Sequence, residues 1–168
     1  MRESTKGAVW GAAQNEITFT YPETIPERAK IKERLTSLWD YEKFGVPFRE
    51  GGKIFYFRNN GLQNQSVLYA QDDLNSEPKL VIDPNTFSED GTVALADVEI
   101  SPDGRYAAMA IQDGGSDWRT VKVMDLETLD ELDDQLEWVK FSSLAWAADS
   151  SGFYYSRFPA TEEGAEFQ

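Results

Sequence analysis

The sequence predicts a mainly β protein: an incomplete β-propeller of about two blades and the start of a third, with antiparallel sheets, preceded by short N-terminal helices. After Gly45, short runs rich in β-branched and aromatic residues alternate with Gly, Asp, Asn and Pro, a pattern typical of strands and turns. One strand-turn-strand unit also recurs at the spacing of propeller blades. The 168 residues, 40% of them hydrophobic, suffice for one domain with a buried core.

Residues 1–44 are expected to form a helical lead. A periodic stretch, Glu27–Trp39, follows Pro26, a residue that suits the start of a helix. Its apolar residues recur at helical spacing, so they share one face of an amphipathic helix; they are Ile31, Leu35 and Leu38. A weaker helix is expected over Thr5–Asn15, where glycines interrupt the pattern.

Residues 45–168 are expected to form the partial propeller. No helix-length pattern separates the apolar runs, so the sheets should be antiparallel rather than parallel. Strands are expected at Lys53–Arg58, Ser66–Gln71, Lys79–Ile82, Ala94–Ile100, Arg105–Gln112, Trp118–Asp125, Phe141–Trp146 and Gly152–Arg157.

The recurring unit is an apolar strand, a turn that ends in Gly, and an aromatic strand. It spans Ile100–Tyr106 and Trp146–Tyr155, with a looser copy at Phe48–Tyr56. In the first of these, the Ser-Pro-Asp-Gly sequence of Ser101–Gly104 is a tight-turn signal rather than a catalytic one. The turn glycines stand 52 and 48 positions apart, close to the repeat of a kelch-type blade; they are Gly52, Gly104 and Gly152. Because a closed propeller needs at least about four blades, we expect the chain to be incomplete.

Composition excludes several classes of function. Sixteen basic and thirty acidic residues give a formal net charge of −14, which repels nucleic acid and anionic membrane surfaces. The chain contains neither histidine nor cysteine, so it cannot by itself hold a Ser-His-Asp or Cys-His active site, and we expect no catalytic residue, metal site or cofactor. The first apolar run is too short for an export signal, which predicts a cytoplasmic protein.

Five polar segments are candidate sites, and each has a plainer structural interpretation. Gly115–Trp118 lacks the second glycine of a nucleophile elbow and is interpreted as a hairpin loop. Asp83–Asn85 and Ser88–Gly91 do not satisfy the spacing of a calcium loop and are interpreted as turns and caps. The amides of Gly61–Ser66 bind a partner or close a hairpin, and the acidic run Asp125–Asp134 is interpreted as a solvated face or loop rather than a cation site.

Taken together, the ordered segments resemble the N-terminal part of the prolyl oligopeptidase family of serine peptidases. The resemblance extends from about Trp10 to Pro159. The segments that carry it are Trp39–Tyr41, Gly45–Phe48, Phe55–Phe57, Gly61–Tyr69, Asp83–Asn85, Ser88–Leu95, Gly115–Trp118, Trp138–Ser142 and Gly152–Arg157.

The resemblance implies a complete enzyme that cleaves short peptides after proline. In that family a propeller restricts access to an α/β-hydrolase domain, which supplies the Ser, Asp and His, and we expect that domain to lie beyond Gln168. The partners implied are a proline-containing oligopeptide and the hydrolase domain. The family's Lys-Phe-Ser segment supplies a phenylalanine to the substrate pocket, which implies that Phe141 binds substrate.

Two other functions remain open from the sequence. One is a free-standing binding module whose exposed strand edges pair with another chain. The other is a glycosidase that uses two carboxylates, although thirty acidic residues give that hypothesis no particular position.

Overall fold

A computed structural model describes residues 5–160 of the chain, as two compact units, residues 5–41 and Glu42–Ala160. The expected propeller region continues to Gln168, and its residues 161–168 lie outside the described part. The first unit holds two helices, α1 (Thr5–Glu23) and α2 (Arg28–Trp39). None of the described helices is long and apolar enough to cross a membrane.

Both predicted helices are present, and α1 is longer than its pattern indicated. It continues past Asn15 and ends immediately after Pro22, a residue that removes a backbone donor and so terminates helices. Helix α2 agrees with the predicted span, and all its residues are exposed, including the apolar face of Ile31, Leu35 and Leu38.

The second unit is built from antiparallel strands, which confirms the predicted fold class. Their bounds are β1 (Lys43–Phe44), β2 (Phe48–Glu50), β3 (Lys53–Asn59), β4 (Val67–Gln71), β5 (Lys79–Ile82), β6 (Ala94–Ile100), β7 (Tyr106–Gln112), β8 (Trp118–Asp125), β9 (Glu131–Lys140), β10 (Ala145–Trp146) and β11 (Phe153–Tyr154).

The strands form three sheets in chain order. In the first sheet, β3, β4 and β5 lie side by side, and β1 and β2 lie one after the other along the free edge of β3. The second sheet has the order β6-β7-β8-β9, and the third consists of β10 and β11. This is the expected arrangement of two blades and the start of another.

Strand β7 is apolar on both faces because it contributes to two cores. Successive side chains of a strand point to opposite sides. Ala107 and Met109 therefore pack with Phe55 and Leu68 of the first sheet, whereas Ala108 and Ala110 face the other way. This second face packs toward Trp146 and Phe153 of the third sheet. The same core includes Leu144, and also Val121 and Val139 of the second sheet.

The hairpin turns of successive sheets are tied to one another. The Gly51 N–H donates to Pro102 O at 3.1 Å, and the Asp103 N–H donates to Ser150 Oγ at 3.1 Å. The turns also touch: a Cβ added to Gly51 would lie 2.3 Å from Gly104 Cα. The recurring turn residues thus serve contacts between sheets as well as the turns themselves.

The loop Gly61–Ser66 does more than close the β3–β4 hairpin. The Gln65 side-chain amide donates to Val93 O at 2.8 Å, and its oxygen accepts the Leu95 N–H at 3.0 Å. Asn64 Nδ2 donates to Gly91 O at 3.1 Å. The amides therefore bind the segment that joins the first and second sheets, a use that the hairpin interpretation did not include.

The expected solvated face over Asp125–Asp134 is largely confirmed, because every residue from Glu127 onward except half-buried Leu129 is exposed, but part of the run is strand rather than loop. Only its first part is a turn, and β9 begins at Glu131 and pairs with β8. Its acidic side chains are exposed, and β9 is an edge strand of the second sheet, where charges discourage pairing with other chains. The predicted strand Phe141–Trp146 is correspondingly reduced to β10, Ala145–Trp146.

Asp125 holds the turn between β8 and β9. Its Oδ1 accepts the Glu127 N–H at 2.8 Å and the Thr128 N–H at 3.4 Å, and its Oδ2 lies 3.3 Å from Arg105 Nε. These donors favour the carboxylate, the Glu127 N–H most of all, so the pKa of Asp125 lies below its ordinary value.

Gly51→Ala is expected to destabilise the chain more than Gly52→Ala. Both glycines have positive φ, so either alanine carries a conformational cost of about 1–2 kcal/mol. Only the Cβ at Gly51 meets backbone, whereas Gly52 has open space, so we expect about 1–3 kcal/mol of additional loss for Gly51→Ala. Urea unfolding of both variants measures the difference; equal midpoints would contradict the contact between turns.

The stabilising effect of Asp125 is expected to disappear in acid. The pKa of Asp125 is lower in the folded chain than in the unfolded chain, where it is about 4. The carboxylate therefore stabilises the fold fully above the unfolded pKa, and this stabilisation is lost as pH falls through the folded pKa. The gap in urea midpoint between wild type and Asp125→Asn should therefore narrow from pH 6 to pH 3. Asp133→Asn removes the same charge from an exposed position and is the control; a gap independent of pH would refute the assignment.

Candidate functional site

Phe141, for which the family resemblance implies substrate binding, lies directly after β9 and is strongly exposed. Its relative exposure is 74%, and it belongs to neither hydrophobic core. Its φ is 53°, in the left-handed region, which is rare for a bulky residue. An exposed aromatic ring on a strained backbone is the kind of outlier that accumulates at binding sites.

The neighbours of Phe141 hold this backbone in place. Val139 is fully buried in the second core, and Ser142 is almost fully buried. Ser142 Oγ donates to Ser143 O at 2.9 Å and accepts the Ser156 N–H at 2.8 Å. The chain is thus anchored on both sides of Phe141 while the ring itself projects outward.

Strand pairing brings the loop before β8 to the end of β9. Trp118, the first residue of β8, is directly opposite Lys140, the last residue of β9. Lys140 Nζ lies 5.2 Å from the centre of the Trp118 ring, 5.0 Å from that of Phe141, and 3.3 Å from Asp117 Oδ2. The lysine therefore contacts two aromatic rings and one carboxylate.

Trp138 completes this group, which we name the Phe141 patch: Asp117, Trp118, Trp138, Lys140 and Phe141. Trp138 has a φ of 63° and lies where the β8–β9 register shifts, as expected for a β-bulge. Its ring meets Trp118 edge-on with centroids 5.8 Å apart, and both tryptophans line a cleft of about 400 Å³. The patch offers aromatic surface with one cation, and hence a binding surface for apolar groups.

The other polar segments are structural, and a larger cleft lies elsewhere. Asp83 Oδ1 accepts the Asn85 N–H at 3.0 Å, and Asp90 Oδ1 accepts the Thr92 N–H at 3.0 Å, which are the predicted turn and cap bonds. Within residues 5–160 no three acidic side chains are grouped as for a metal ion. A cleft of about 830 Å³ lies between the first two sheets, and Lys122 and Glu131 are among its lining residues.

Residues 2–166 match the family model described as the prolyl oligopeptidase N-terminal β-propeller domain. The chain belongs to this family. A prolyl endopeptidase of Elizabethkingia meningoseptica is 41% identical over 165 residues, which are 97% of this chain and 23% of the relative. This propeller-domain chain therefore spans about a quarter of the length of that relative.

Solved structures show the same similarity. The structure of one of two prolyl endopeptidases compared for their inter-domain dynamics superimposes on this chain with a TM-score of 0.90. The two sequences are 28% identical, and the match covers 99% of this chain and 24% of that one. Prolyl oligopeptidase B of Galerina marginata, bound to a 25mer macrocyclization substrate, gives a TM-score of 0.85 at 29% identity, covering 97% and 26%. The resemblance inferred from the sequence is confirmed at the level of the propeller domain.

Sequence reasoning named Phe141 but missed the residues around it. Asp117 was interpreted as part of a hairpin loop, Trp118 as the end of that loop and the start of a strand, and Lys140 as part of the Lys-Phe-Ser segment. The missing step was the strand β9, which brings these two segments together. A signal was available in Trp138 and Val139, an apolar pair at the end of the acidic run.

Proposed function

We propose that this chain forms the first blades of a propeller in a serine peptidase that cleaves short peptides after proline, with an α/β-hydrolase domain supplying the chemistry. The family match over residues 2–166 carries the proposal. The absence of histidine supports it as well, because the chain has no Ser-His-Asp triad of its own. Its part is then to restrict access and to contact the peptide.

Phe141 is the proposed point of contact with the peptide. It combines high exposure with an anchored backbone, so its ring offers apolar area to a ligand at little further ordering cost. A proline-containing peptide presents the flat apolar surface that an aromatic ring packs against. The cytoplasmic location of the protein stays a prediction.

A free-standing module that recruits partners by strand addition is less well supported. One edge strand of the second sheet is β9, which carries Glu131, Asp133, Asp134 and Glu137. Charged side chains on an edge strand oppose the approach of another strand. A monodisperse chain that melts cooperatively and captures a defined protein would favour this alternative.

The direct test places this chain within a relative of full length. Residues 2–166 replace the aligned segment of the Elizabethkingia meningoseptica prolyl endopeptidase, and cleavage of a benzyloxycarbonyl-Gly-Pro chromogenic substrate is measured. The chimera is expected to turn over the substrate, whereas the chain alone should not exceed the blank. A folded chimera without turnover, or an active chain alone, would contradict the proposal; the chimera without its serine nucleophile is the control.

Phe141→Ala in this chimera is expected to weaken the cleavage of longer peptides more than that of the minimal substrate. Losing the contacts of a phenylalanine ring costs about 1.5 kcal/mol or more, which corresponds to roughly a tenfold rise in KM. Leu74→Ala removes another strongly exposed apolar side chain, in the turn between β4 and β5, and is the matched control. An equal loss on long and minimal substrates would exclude the pocket assignment.

A further inference from the structure

Lys140 lies in an unusual place for a lysine of a strongly acidic chain. Its side chain is only 26% exposed, although a long flexible stem normally carries the ammonium into water. Instead the ammonium lies 5.2 Å from the ring centre of Trp118 and 5.0 Å from that of Phe141. Both separations are within the range of a cation–π interaction.

The remaining contact of Lys140 fixes its direction. Asp117 Oδ2 lies 3.3 Å from Nζ, and the Asp117 side chain is 57% exposed. An ion pair this open contributes little stability. It nevertheless adds a directional contact beside Trp118, which is held by its pairing across β8 and β9 and by its edge-on contact with Trp138.

The orientation of the Phe141 ring depends on this lysine more than the orientation of a ring packed in a core would. The backbone at Phe141 is anchored through Ser142, but the ring is 74% exposed and is absent from both buried clusters. An exposed ring without core packing exchanges between staggered rotamers. A cation against its face favours one of them, the one observed.

We infer that Lys140 is a positioning residue for Phe141: held by Asp117 and Trp118, its ammonium orients the Phe141 ring for contact with the peptide. This inference rests on the proposed function of Phe141. It assigns to Lys140 no contact with the peptide itself. Removing the charge should therefore weaken peptide binding only as long as the ring is present.

Kinetics of the chimera test the coupling between the two residues. Lys140→Gln is expected to raise KM for longer peptides about two- to fivefold, the equivalent of one exposed cation–π contact, with the effect in KM rather than kcat. Lys140→Arg should keep KM close to that of the unmutated chimera, because a guanidinium also carries the charge and forms cation–π contacts with aromatic rings. In a Phe141→Ala background, Lys140→Gln should add nothing.

A fluorine signal tests the ring position independently of activity. With 4-fluorophenylalanine incorporated in place of Phe141, the ¹⁹F line is expected to narrow in Lys140→Gln, because the ring gains motion, and to keep its width in Lys140→Arg. Lys79→Gln removes a lysine from β5 and controls for net charge. If Lys140→Gln melts early, Lys140→Met, which keeps an apolar stem, takes its place.

The outcomes separate this inference from the proposed function. A ¹⁹F line of unchanged width in Lys140→Gln overturns the positioning role. So does a rise in KM of the same size with and without the Phe141 ring, because the charge would then act on the peptide directly. A line that narrows while Phe141→Ala leaves KM unchanged supports the positioning of the ring and contradicts its contact with peptide.

Discussion

The rest of this structure depends on β7, whose two faces are both buried. Ala107 and Met109 pack toward the first sheet, and Ala108 and Ala110 toward the third. Small side chains at three of these four positions let the neighbouring sheets approach closely. The two cores are consequently coupled through one strand, so a change of volume there is felt on both sides. The stacked turns at Gly51 and Gly104 require the same close approach.

The Phe141 patch is possible because strong anchors lie next to it. Positive φ at Trp138 and Phe141 is costly, and it persists only where the surroundings determine the backbone. Val139 between them is fully buried, and Ser142 is fixed by two hydrogen bonds. The patch combines aromatic surface with one cation and one carboxylate, a composition suited to contact with flat apolar groups.

Much of the fold could be predicted because its signals are local. The helix at α2, the Ser-Pro-Asp-Gly turn and the alternating strands each depend on residues close in sequence. Strand β9 was not predicted because its acidic first half has the composition of a loop, and only pairing with β8 makes it a strand. The use of Gln65 was missed for a similar reason, since its partners Val93 and Leu95 belong to a distant segment.

The sequence by itself determined the fold class, the blade-sized repeat, the family and the lack of a triad, because these depend on residue type and on spacing along the chain. Only the tertiary structure decided that Asp117 and Trp118 meet Lys140 and Phe141. Their contact depends on the register of β8 against β9, which includes a bulge, and a register between strands is set by packing across the whole sheet rather than by either segment alone.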